Sequence, residues 1–174
     1  MSVASDQLEE DAPGSTETRT DSVTRIADAV SAASDFGAIF VVLAVIQLLR
    51  RRRPKETLGR LAAAGLTSLV LTRTLKHYFS APRELSAAPG GLARTPSSPG
   101  FPSGHTLAAF TSALVLPRTT LGRSVALCFA GLVAWARVRV GHHQTRDVLA
   151  GASAGVAAGT AVRVAIGALA ASGR

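Results

Sequence analysis

The sequence predicts an all-α fold, a transmembrane helical bundle of about five spans. Three observations carry that expectation. Of the 174 residues, 47% are apolar. They gather in five separate runs, and none of the runs shows the polar stripe that the exposed face of a soluble helix needs. A soluble all-α bundle is the competing reading. The length suits one compact unit, without room for a second domain.

The first 35 residues hold eight of the eleven acidic residues and two arginines, and the remaining chain carries seventeen Lys/Arg against three acids. This opening block is rich in Ser, Thr, Asp and Glu. It reads as a disordered acidic N-terminal tail, residues 1–30, ahead of a membrane-embedded domain, residues 31–174. It has neither a basic start nor an apolar run before a cleavage site, so it does not read as a signal peptide. The lone Cys128 leaves no disulfide within the chain and no cysteine-based metal cluster. The formal net charge is +8. That charge is interleaved with apolar runs, and few aromatics are present to stack on bases. The balance argues against a nucleic-acid partner and for a membrane.

The apolar runs are residues 31–49, 58–75, 104–116, 124–138 and 148–171. As a helix the first extends about 28 Å, enough to cross a hydrocarbon core. The third and fourth are nearer ~20 Å and span only with help from their flanks. Residues 50–53 are all arginine and, with Lys55 and Arg60, form a basic loop between the first two runs. The positive-inside rule makes this loop cytoplasmic. Alternation then puts the tail outside, and Arg118, Arg123 and the C-terminus inside. The loops 76–103 and 139–147 face outward, and the expected location is the plasma membrane. Tyr78 and Trp135 fall at the outer interface, where amphipathic aromatics gather; plain packing is the simpler account of each. Gly151, Gly155 and Gly159 give the last run a small-residue face, expected to serve close packing within the monomer rather than a dimer. Arg163 in that run is expected to snorkel to the inner surface.

Residues 100–110 read GFPSGHTLAAF. They fit an ordinary helix start with Ser103 as N-cap, and equally an anion site at a helix N-terminus. The outward side also collects Lys76, Arg83, His105, Arg137, His143 and Asp147. A positive-inside protein is sparing with Lys and Arg there, and binding an anion gives these a reason. His143 and Asp147 are four residues apart, on one face if a helix begins there. A carboxylate so placed holds one ring nitrogen and leaves the other as a nucleophile. His142, five residues from Asp147, is the competitor in a poorer register.

The pieces Lys76-x6-Arg83, Pro102-Ser103-Gly104-His105 and Arg137-x5-His143-x3-Asp147 resemble the three signature motifs of the type-2 phosphatidic acid phosphatase family. Its superfamily includes acid phosphatases and vanadium haloperoxidases. The resemblance covers roughly residues 76–159. In the integral-membrane members the first two motifs share a loop and the third lies between the last two spans. This chain has that layout, with one N-terminal span fewer than the common six.

The resemblance implies a metal-independent phosphohydrolase without a cofactor. His143 would attack phosphorus and form a phosphohistidine, with Asp147 orienting its ring. His105 would protonate the leaving oxygen and then help to activate water. Lys76, Arg83 and Arg137, with Ser103 and the Gly104 backbone, would hold the phosphoryl oxygens. The implied substrates are lipid phosphates or pyrophosphates of isoprenoid, phosphatidic acid or phosphatidylglycerol phosphate type, with isoprenyl phosphosugars also in range. The membrane and its lipid are the implied partners, and no oligomeric state is implied. Glu84, Ala136 and Gln144-Thr145-Arg146 depart from the family pattern. Glu84 and Ala136 keep alive the alternative of a non-catalytic member that binds lipid head groups or a membrane partner. A vanadate-dependent haloperoxidase is a third reading, disfavoured because those relatives are soluble.

Overall fold

The computed structural model describes residues 22–31, 45, 54–79 and 100–173. The run 31–49, apart from Ser31 and Val45, and the arginines at 50–53 lie outside the described residues. So do residues 1–21 of the tail. Every regular element among the described residues is a helix. These are α1 (residues 22–31), α2 (Pro54–Tyr78), α3 (Gly104–Val115), α4 (Thr120–Arg139) and α5 (Thr145–Ser172). The four later runs fall on α2 to α5.

Local chemistry sets the helix ends. Pro54 opens α2, where a missing N–H costs nothing. Lys76 and His77 close it, favourably placed for the helix dipole. α3 stops at Val115, and Pro117 has no N–H with which to continue it. Thr119 caps α4, its Oγ1 accepting the Gly122 N–H at 3.1 Å.

α1 departs from the sequence expectation, since residues 22–30 read as tail and are helical here. Ala27 is buried and packs with Ala136 and Val140, and Val30 lies against the same cluster. The block's acidic average hides a short stripe, Ala27, Val30 and Ser31, spaced for one helical face.

α3 is the central helix, with α2, α4 and α5 packed around it. Its contact with α5 is parallel and very close. A Cβ on Gly151 would lie 2.5 Å from the Ser103 carbonyl oxygen, and one on Gly155 would lie 2.5 Å from that of Leu107. One on Gly159 would come within 3.0 Å of the Leu114 Cβ. Every fourth residue of α5 is therefore pressed onto every fourth residue of α3, matching rows of the two helices. Thr111 adds a hydrogen bond from its Oγ1 to the Gly155 carbonyl, 3.3 Å. The glycine face thus serves packing within the monomer. On the other sides, Ala109 and Ala113 meet Ala130 and Val133 of α4, and Gly104 meets Thr72 of α2.

These contacts put the C-terminal ends of α2 and α4 beside the N-terminal ends of α3 and α5. Lys76, His105, Arg137, His143 and Asp147 share that end. Lys55, Arg60, Arg118 and Arg123 share the opposite one. There Glu56 pairs with Arg118 at 3.0 Å and with the half-buried Arg60 at 3.4 Å; the more exposed Arg118 pair contributes little to stability. Arg60 does more by donating from Nη1 to the Val115 carbonyl at 3.0 Å, which supplies a donor where α3 ends.

The exterior is apolar. Leu121, Val125, Phe129, Leu132 and Trp135 form an exposed stripe along α4, and Leu149, Val156, Val164 and Leu169 are exposed on α5. Both helices are long and apolar enough to cross a membrane, and most of each faces outward. A buried soluble helix would not do that, and a lipid-facing one must. Tyr78, Trp135 and Arg163 are exposed.

A Gly155→Ala chain in detergent is expected to lose about 1–3 kcal/mol through overpacking, read as a lower thermal midpoint. Gly131→Ala and Gly167→Ala, where nothing lies within 4 Å of the new Cβ, are expected to hold or raise the midpoint.

Candidate active site

Three chain segments converge at this end of the bundle. The first is the start of α3, entered through a cis Phe101–Pro102 bond. Ser103 occupies the N-cap position with extended backbone, yet its hydroxyl makes no capping bond. Its Oγ instead accepts from Thr106 Oγ1 at 3.0 Å. The Ser103 N–H donates to the Asp147 carbonyl at 2.9 Å. α5 thus takes the Ser103 amide, and an anion at the start of α3 is left with the amides that follow it. The amides of Gly104, His105 and Thr106 form the first turn, where no carbonyl inside the helix can accept from them. That is the anion-attracting end of α3. Gly104 also has a packing role, since a Cβ there would lie 2.8 Å from Thr72 Cγ2.

The second segment is the last turn of α4. Arg137 is 1% exposed, the largest fully buried side chain of the described residues. Its Nη1 donates to Ser31 Oγ at 2.9 Å and to His142 Nδ1 at 3.2 Å. Its Nη2 contacts His105 Nδ1. A guanidinium only donates, so in this arrangement both imidazoles accept through Nδ1 and carry their proton on Nε2. Ala136, beside it, is fully buried against Ala27.

The third segment is the turn into α5. Gly141 has φ 74°, a conformation that favours glycine. The turn closes with the His143 N–H donating to the Arg137 carbonyl at 3.1 Å. His143 Nδ1 then lies 3.6 Å from Asp147 Oδ2, with both side chains buried. That separation is longer than a hydrogen bond, and a shift of about half an ångström brings the pair into range. Asp147 Oδ2 also accepts the Gln144 N–H at 3.0 Å, the acidic half of a capping box. Its other oxygen lies 3.8 Å from Nε of the exposed Arg146. His143 is therefore the histidine beside Asp147, while His142 turns to Arg137.

Lys76 is one turn beyond Thr72 on α2, at the same end. Arg83 and Glu84 lie outside the described residues. Among the described residues no His, Cys, Asp and Glu group is arranged to hold a metal ion. Sequence reasoning missed Ser31, which meets Arg137 across 106 positions with no motif to announce it. It also missed the pairing of His142 with Arg137, although a spacing of five hinted that His142 was not the partner of Asp147.

A family model described as the PAP2 superfamily matches residues 57–169. The chain belongs to the PAP2 superfamily. The family resemblance read from the motifs is thus borne out. The PAP2 architecture also appears in two solved structures. The crystal structure of Aquifex aeolicus LpxE matches with a TM-score of 0.63 at 23% identity, over 90% of this chain and 98% of that one. The first transmembrane PAP2 type phosphatidylglycerolphosphate phosphatase from Bacillus subtilis matches with a TM-score of 0.59 at 21% identity, over 86% and 85%. No curated protein matches. The PAP2 region includes Lys76, His105, Arg137, His143 and Asp147, and it begins after α1.

Asp147→Ala leaves the Gln144 N–H without its acceptor and is expected to cost about 1–3 kcal/mol. Asp147→Asn keeps a capping oxygen and is expected to cost less. Thermal midpoints of the two variants side by side check the order.

Proposed function

We propose that this chain hydrolyses the phosphate monoester or diphosphate of a membrane lipid through a phosphohistidine on His143. One observation carries the reading. His143 is buried against Asp147 at 3.6 Å, on a turn whose other end is Arg137, and Arg137 reaches His105 on the neighbouring helix. A nucleophile, an anion ligand and a proton donor are thus assembled from separate elements.

The side-chain geometry divides the chemistry. Asp147 faces Nδ1 of His143, which leaves Nε2 to attack phosphorus. As the N–P bond forms, the P–O bond to the lipid breaks, and the leaving oxygen takes a proton from His105, which enters this step as imidazolium with its Nδ1 released from Arg137 as that guanidinium turns to the phosphate. Water then attacks phosphorus and gives its proton to His105, and the N–P bond breaks to release inorganic phosphate. Lys76, Arg83 and Arg137, with Ser103 and the Gly104 amide at the start of α3, balance the charge on the phosphoryl oxygens. Of Ser103 the hydroxyl remains for this role, since its amide is bonded to Asp147.

A lipid substrate is supported by the apolar exterior that rises to the site and by a fold neighbour named as a phosphatidylglycerolphosphate phosphatase. Isoprenoid phosphates, phosphatidic acid and phosphatidylglycerol phosphate are the candidate classes. Lys55, Arg60, Arg118 and Arg123 at the opposite end support an extracytoplasmic site, in the plasma membrane with the N-terminus outside.

In detergent, phosphate release from matched lipid mono- and pyrophosphates is the direct test. His143→Ala is expected to lower kcat/KM by about 10³-fold or more. His142→Ala is expected to retain turnover within roughly 30-fold, and chelators to leave the wild-type rate unchanged. The reverse order of the two histidine variants would overturn the assignment, as would no turnover by folded protein across the panel. For the orientation, a cysteine placed within residues 87–100 of a Cys128→Ser chain is expected to react with an impermeant thiol reagent in intact cells. Labelling only after the inner face is opened would invert the topology.

A further inference from the structure

Arg137 takes one of its partners from outside the residues that the family model matches. We propose that Ser31 on α1 is a positioning residue of the phosphate clamp, which with His142 fixes the guanidinium of Arg137. This rests on the reading of Arg137 as an anion ligand given above.

A buried arginine needs several acceptors, and its long stem has many rotamers to lose. At Nη1 the acceptors are Ser31 Oγ at 2.9 Å and His142 Nδ1 at 3.2 Å. Ser31 Oγ is itself 3.4 Å from His142 Nδ1. Having accepted from Arg137, the hydroxyl can turn its own proton to the single Nδ1 lone pair, which it shares with Arg137, so the three groups close a ring. The ring pins Nη1 while Nη2 points to His105 across the site.

Ser31 is in turn held by packing. It is 3% exposed, and Ala27, one turn earlier on α1, is fully buried. Ala27 sits against Ala136, the residue next to Arg137 in sequence. A small side chain at 136 lets α1 approach, and that approach delivers the Ser31 hydroxyl. The N-terminal helix therefore completes the surroundings of the clamp.

The test uses the full chain in detergent, with orthovanadate as the probe of the anion site and a lipid phosphate as substrate. Ser31→Ala is expected to weaken vanadate binding and raise KM by about 5–10-fold, since a hydrogen bond to a charged group is lost while His142 remains. kcat is expected to change by less than about 3-fold, because His143 and His105 keep their places. Ser31→Cys, of similar size but a weak acceptor, gives the same loss, and Ser31→Thr restores binding. In an Arg137→Lys background, Ser31→Ala adds little. Wild-type affinity in both Ser31→Ala and Ser31→Cys overturns the inference, and so does equal weakening by Ser31→Thr with a lowered thermal midpoint. If no lipid phosphate is turned over yet vanadate binding depends on Ser31, the inference stands and the phosphatase reading falls. A wild-type chain that binds no vanadate overturns the inference through its premise.

Discussion

The main-chain contact between α3 and α5 fixes everything else at the site. Two glycines let α5 rest on the carbonyl oxygens of Ser103 and Leu107, at distances that no Cβ tolerates. Because the helices run parallel, their N-termini arrive at one level, and the Ser103 N–H reaches the Asp147 carbonyl. One residue after Ser103 comes the packing glycine, and next the histidine that faces Arg137. Four residues before Asp147 comes the histidine that it faces. The separation of the two histidines is a result of helix packing, and only secondarily of the loops.

Arg137 is the second organising element. It joins α1, α3 and the turn into α5 through Ser31, His105 and His142. A cation so deeply placed is costly unless its donors are met, and here the partners of its two Nη groups include a histidine of the site itself. An anion drawn to that guanidinium competes with those partners. The same contacts that hold Arg137 in the fold would therefore have to adjust as substrate binds.

The sequence shows clearly whatever is local or periodic. The i, i+4 spacing of His143 and Asp147, the glycine face of α5 and the apolar runs behind α2 to α5 each follow from helix geometry. Features that depend on a partner far along the chain escape it. Ser31 lies in a block whose acidity dominates its composition, and only the docked position of α1 reveals the contact with Arg137. The Ser103 amide looks available in any reading of a helix start, since the docking of α5 is what occupies it. Gly104 shows both limits, because an anion site and a close helix contact each ask for a residue without a side chain.

The bond from the Ser103 N–H to the Asp147 carbonyl is made entirely of backbone atoms. Almost any exchange of side chains leaves both ends in place, so the alignment of the two histidine segments is insulated from most genetic drift. Its vulnerable positions are few. A proline at 103 would remove the donor, and any side chain at Gly151 would push the helices apart beneath it. Lipid-facing residues can then change while the frame of the site stays put.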